Sequence, residues 1–130
     1  MTPEGLVVLA CPRPPKEAMD RLAASVIRHG MTVFARIDHA AAAKDVGMTL
    51  DPTEVLIFGN PKGGTPLMQA SQTLGIDLPL KALVWQDGAG KTWIGYNDPR
   101  WLARRHGVTG HEPVLDGMTN ALAAIAKDAC

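Results

Sequence analysis

Residues 81–96 read Lys-Ala-Leu-Val-Trp-Gln-Asp-Gly-Ala-Gly-Lys-Thr-Trp-Ile-Gly-Tyr, and this stretch decides the fold class. Two apolar runs, Lys81–Gln86 and Thr92–Tyr96, flank the turn residues Asp87-Gly88-Ala89-Gly90. A glycine-bearing turn between such runs is the signature of a β-hairpin. A hairpin interrupts the strict strand–helix alternation of a doubly wound sheet, so the chain reads as α+β. The expected architecture is a two-layer α/β sandwich, a mixed sheet of about five strands with helices packed on it.

The flanking sequence supplies the other elements. Gly5–Ala10 is a short β-branched run, ended by Pro12, Pro14 and Pro15. Pro15–His29 carries a helical stripe of Met19, Leu22, Val26 and Ile27, and Gly30 suits the left-handed position that closes it. Met31–Ile37 reads as a second strand. Asp38 then caps a short helix, His39–Val46, stopped by Gly47. Thr53–Phe58 is continuously apolar at its centre, which predicts a strand covered on both faces. Gly59–Gly64 reads as a loop, with Thr65 as N-cap and Pro66 at the first position of a helix running to about Leu74. After the hairpin, Asp98-Pro99 opens a helix to His106, and Leu115–Lys127 is a last amphipathic helix. With no repeat or linker, residues 1–130 read as a single domain.

Composition narrows the function classes. Lysine plus arginine equals aspartate plus glutamate, 13 each, which argues against nucleic acid as a partner. The cluster Arg100, Arg104 and Arg105 reads as a solvated helix face. Cys11 and Cys130 stand far apart with no paired-cysteine framework, so two free thiols in a reducing, cytoplasmic setting are expected. Val8-Leu9-Ala10-Cys11 resembles a lipoprotein cleavage site, but no basic segment or long apolar core precedes it. No run approaches the roughly 18 apolar residues of a membrane span, so no membrane role is expected.

The stretch Phe58-Gly59-Asn60-Pro61-Lys62-Gly63-Gly64-Thr65-Pro66 is the strongest candidate for chemistry. It joins a strand to a helix N-terminus, where free N–H groups and the helix dipole attract anions. Lys62 adds a cation, and Asn60, Gly63, Gly64 and Thr65 complete the expected ligand-binding loop. Lysine does not follow the last glycine here, so this is no nucleotide-triphosphate loop. His39 lies in the first turn of its helix, where a cationic imidazole is disfavoured, which suits an acid or base. Arg36 and Asp38 flank the same junction. Lys81, beside an apolar run, would need an anionic or carbonyl partner if covered. His29 and His106 each precede a glycine and read as helix C-caps, and His111 as a solvated turn residue. No local spacing supports a metal site, and neither Ser25 nor Ser71 sits in a nucleophile elbow.

Four blocks carry a family resemblance. They are Phe34–His39, Leu56–Lys62 with Gly64–Met68, Leu78–Trp85, and Tyr96–Pro99. Together they resemble the prokaryotic family catalogued as domain of unknown function 302, over about residues 5–107, with the last helix, about 113–128, as an extension. The resemblance implies a compact two-layer α/β fold that often forms homodimers, and it supplies no reaction, cofactor or catalytic residue. In a sheet with strands two and three side by side, Asp38-His39 and the Asn60–Pro66 loop are expected at the same edge. The leading expectation is a binding domain for a small anionic ligand at that loop, with Arg36, His39 and Lys81 as further partners. The alternatives are an enzyme using His39, a metal or haem site through His39, and a homodimeric interaction module built on the aromatic hairpin.

Overall fold

The computed structural model describes residues 2–130. In chain order it runs β1 (Leu6–Cys11), α1 (Pro15–Arg28), β2 (Thr32–Asp38), α2 (His39–Asp45), β3 (Thr53–Gly59) and α3 (Pro61–Ala70). A 3-10 turn (Gln72–Ile76) follows, then β4 (Leu80–Gln86), β5 (Thr92–Asn97), α4 (Pro99–Arg105) and α5 (Glu112–Ala129). The α+β reading holds. The five strands form one sheet in the order β1-β5-β4-β3-β2. Every pairing is antiparallel, which corrects the mixed sheet expected from the sequence.

The hairpin sets the register of the sheet. Trp85 lies directly opposite Trp93, and Val84 opposite Ile94. Because side chains alternate across a strand, Ala82, Val84, Ile94 and Tyr96 turn to one face, and Leu83, Trp85 and Trp93 to the other. The first face carries the main core. Leu56, Phe58, Val84 and Ile94 pack there against Met19, Leu22 and Val26 of α1 and Leu122 and Ile125 of α5. Antiparallel pairing of α1 with α5 explains why a helix near the chain's end belongs to the central core. Ser25 of α1, fully buried, donates to the Ile125 carbonyl, and Arg21 donates to the carbonyl of Ala129. The Arg21 bond satisfies a carbonyl in the last turn of α5 that lacks a partner within the helix.

The second face of the sheet carries no helix. Val55 and Ile57 of β3, expected beneath two layers, are covered on one side only and stay half-buried. A continuous apolar strand here signals burial on one face and an apolar surface on the other.

The cysteine expectation is overturned. Cys11, at the end of β1, and Cys130, directly after α5, form a disulfide with a Cα–Cα separation of 5.2 Å. Their separation of 119 residues hides the pairing from any spacing rule, because only the packing of α5 along α1 brings them together.

Candidate functional site

Antiparallel pairing of β2 with β3 separates the residues that the sequence reading placed together. Thr32 is opposite Gly59 and Asp38 is opposite Glu54, so the ends of these two strands lie at opposite ends of the sheet. Six residues of strand put Asp38-His39 roughly 20 Å from the Asn60–Thr65 segment. The shared edge expected from the sequence does not exist.

At the β2 end, Arg36 is consumed by structure. Its guanidinium forms a two-bond fork with Glu54, at 2.6 and 3.1 Å, and reaches Asp20 of α1 at 2.8 Å. The Glu54 hydrogen bond raises the Arg36 guanidinium above its ordinary value against the cost of partial burial, and Asp20 adds to it. Asp20 is held below the usual carboxylate range by Arg36 first and Lys16 second. Asp38 is the N-cap expected, accepting from the Ala41 N–H at 2.9 Å. His39 is exposed on a seven-residue helix and borders neither of the two principal cavities. A groove of about 910 Å³ at this end, larger than the cavity at the other, is bordered by Lys16, Arg36, Lys44, Met48 and Leu50. Among the described residues no three His, Cys, Asp or Glu side chains gather as metal ligands.

At the β3 end the segment expected as a loop is itself helix. α3 begins at Pro61, with Asn60 as its N-cap and Pro66 inside it, so Thr65 caps nothing. Asn60 and Pro61 provide the cap-plus-proline start five residues earlier than expected. The Asn60 side chain accepts from the Lys62 N–H at 3.0 Å. The Asn60 carbonyl accepts from Gly63 and Gly64 at 3.0 and 3.1 Å. The N–H groups that would have drawn an anion to this helix start already have partners.

A cavity opens there. It measures about 480 Å³, within the range of small-molecule sites. Asn60, Lys62, Gly63, Gly64 and Thr65, all singled out from the sequence, border it. Lys81 does not; its ammonium donates to the Pro79 carbonyl at 3.0 Å, the partner it needed. The remaining wall is apolar and was missed: Met31, Phe34, Met68, Leu78, Val114 and Met118. A register shift between Val33 and Ala35 makes Phe34 a bulge residue without a cross-strand partner, and its ring lies 53% exposed at the cavity. Bulges commonly re-aim a side chain beside a site. α5 closes the far side through Val114, Gly117 and Met118.

The glycines gave a signal that went unread. Among the described residues the only glycines inside α-helices are Gly63, Gly64 and Gly117, and all three border the cavity. Glycine in a helix interior costs roughly 1 kcal/mol relative to alanine. None of the three has positive φ, and a Cβ at Gly63 or Gly117 would meet nothing within 4 Å.

A polar cluster stands beside this end. His106, read as a helix cap, also pairs through Nε2 with Asp77 at 2.5 Å and through Nδ1 with the Thr73 hydroxyl at 2.8 Å. Arg105 grips the same carboxylate at 2.8 and 2.9 Å. Burial pushes Asp77 up, but His106 and Arg105 outweigh it and hold the carboxyl below its ordinary value. Neither of these two cavities reaches Thr73, and the cluster fastens the 3-10 turn to α4.

A family profile described as "Domain of unknown function DUF302" matches residues 7–125. The chain belongs to this family. The match takes in most of α5, consistent with that helix's place in the core. A crystal structure of an uncharacterized conserved DUF302 protein from Bacillus stearothermophilus superposes with a TM-score of 0.87 at 20% identity. It covers 98% of this chain and all of that one, which shows the shared fold. Two curated relatives, "Fluoride-specific ion channel FluC 1" of Brucella suis biovar 1 and of Brucella abortus biovar 1, are each 51% identical over 104 residues. The match spans 80% of this chain but only 41% and 38% of those relatives.

Proposed function

We propose that this domain binds a small molecule carrying an anionic group in the cavity at the start of α3, with Lys62 as its counter-ion. The supporting observation is the cavity itself, about 480 Å³, bordered by five of the residues that the sequence singled out. Arg36, Asp38 and His39 stand at the other end of the sheet and take no part in this site. Thermal melts of the wild type against a panel of inorganic anions and small organic acids test the reading. A ligand-dependent rise in Tm that disappears in Lys62→Ala is the expected result. Unchanged melting with every member of the panel would remove the site.

A second reading, homodimerisation, is favoured by the uncovered sheet face. Ile37, Val55, Ile57, Leu83, Trp85 and Trp93 stand on it with no helix above. An antiparallel sheet normally turns polar residues to an open face. Five strands of about six residues give a footprint of roughly 500 Å² before side-chain relief. That approaches the roughly 800 Å² per partner of a standard interface, and aromatic residues are enriched in such interfaces. Sedimentation of wild type against Trp85→Glu tests it; a dimer converted to monomer is expected.

The channel name of the Brucella relatives is not extended to this chain. No described helix is long and apolar enough to cross a membrane, and the match leaves more than half of each relative outside it. The cytoplasmic reading rested on unpaired thiols. The Cys11–Cys130 disulfide removes that support, and an oxidising compartment suits it better.

A further inference from the structure

We propose that the ligand is an amphipathic monoanion, an apolar chain or ring system of roughly twelve to sixteen heavy atoms ending in one carboxylate-like group. This inference rests on the reading of the cavity as the binding site and names the class of molecule it takes. Size comes from the volume: about 480 Å³, at about 30 Å³ per heavy atom, bounds the buried part of the ligand near sixteen atoms.

Polarity comes from the wall. Met31, Met68 and Met118 bring three thioether side chains to one cavity, beside Phe34, Leu78 and Val114. Methionine is unbranched and adapts its shape, so such a wall fits a flexible apolar body better than a rigid polar one. Charge comes from the mouth. Among the described residues Lys62 is the one cationic side chain bordering the cavity, and the neighbouring N–H groups of Lys62, Gly63 and Gly64 are already bonded to Asn60. One negative group finds a partner there. A nucleotide or polyphosphate would set further charges against methyl groups without compensation.

The three helix glycines make the same point independently. Gly63, Gly64 and Gly117 each give up helix propensity where neither positive φ nor a close neighbour demands glycine at 63 and 117. Their common property is the space they leave on the cavity wall. Phe34, exposed on its bulge, is the apolar surface that a seated chain would cover.

The test is calorimetric titration of the full chain with hexanoate, octanoate, decanoate and dodecanoate below their micellar concentrations. Inorganic phosphate, fluoride and 1-octanol serve as comparisons. Affinity is expected to rise about three- to four-fold per added methylene throughout the series, whose longest member stays below the roughly sixteen heavy atoms the cavity admits. Octanol is expected to bind more weakly than octanoate, and Lys62→Met to erase that difference. Gly117→Leu, whose side chain enters open space, is expected to keep or raise Tm while weakening decanoate at least ten-fold. Absence of a chain-length trend, or decanoate binding to Gly117→Leu as to the wild type, overturns the proposal. Lys62-dependent binding of phosphate or fluoride without any alkyl carboxylate overturns the ligand class and leaves the cavity reading standing. Binding of none of the probes overturns both.

Discussion

At one end of the sheet Cys11 is joined to Cys130, and Arg36 is clamped between Glu54 and Asp20. At the other, three helix glycines and three methionines border an open cavity with a single lysine at its mouth. Both ends carry charge, and both drew attention as candidate sites. The difference lies in what the charges already touch. At the clamped end Arg36, Glu54, Asp20 and Asp38 each have a partner inside the chain, and such groups hold the fold. At the glycine end Lys62 has no carboxylate partner among the described residues, and helix stability is forgone in favour of space. Residues that weaken local structure without a local reason are where function is best sought.

That contrast can be broken by substitutions at each end. The largest effect is expected at the disulfide. Cys130→Ser releases a loop of 119 residues and is expected to lower unfolding free energy by about 2–4 kcal/mol in urea denaturation. Ligand affinity at the far cavity is expected to stay within about two-fold, since independent distant sites barely couple. Arg36→Ala, which leaves Glu54 mostly covered without its counter-charge, is expected to cost about 1–2 kcal/mol in the same assay. It too leaves the cavity ligand unaffected. A large loss of binding in Arg36→Ala would erase the distinction between the ends.

Asp77 sharpens the comparison, because its cluster braces the glycine end from outside the cavity. Asp77→Asn is expected to cost about 1 kcal/mol at neutral pH. The folded carboxyl lies below its ordinary value of 3.8, so its stabilisation is present above that value and is lost as pH falls through the lower folded one. Wild type and variant should therefore converge in stability under strong acid, which denaturation at a series of pH values checks. The smallest effect has the opposite sign. Gly117→Ala is expected to raise stability by about 0.5–1 kcal/mol, read as a higher Tm. No gain there would mean that the glycine serves the helix and not the cavity.

Local signals in the sequence were read correctly at the β4–β5 hairpin, the Asp38 cap and the Asp98-Pro99 helix start, because each depends on neighbours in the chain. The start of α3 was misplaced because two cap-plus-proline pairs, Asn60-Pro61 and Thr65-Pro66, compete, and the first one wins. Long-range facts were hidden. The disulfide depends on how α5 lies along α1. The separation of His39 from Lys62 depends on strand direction, which burial patterns within a strand do not encode. Of the cavity, the polar mouth was legible, since Asn60–Thr65 is contiguous. Its apolar wall comes from four distant segments, and only the glycine within the last helical pattern marked one of them.

The central claim is that the glycine end, and not the clamped end, holds a ligand. Amide chemical-shift mapping of the full chain with decanoate tests this most directly. Saturable shifts are expected at Phe34, Gly63, Gly64, Gly117 and Met118, with Arg36, Asp38 and His39 unmoved. Shifts centred on Asp38 and His39, or spread evenly over the apolar sheet face, would contradict it.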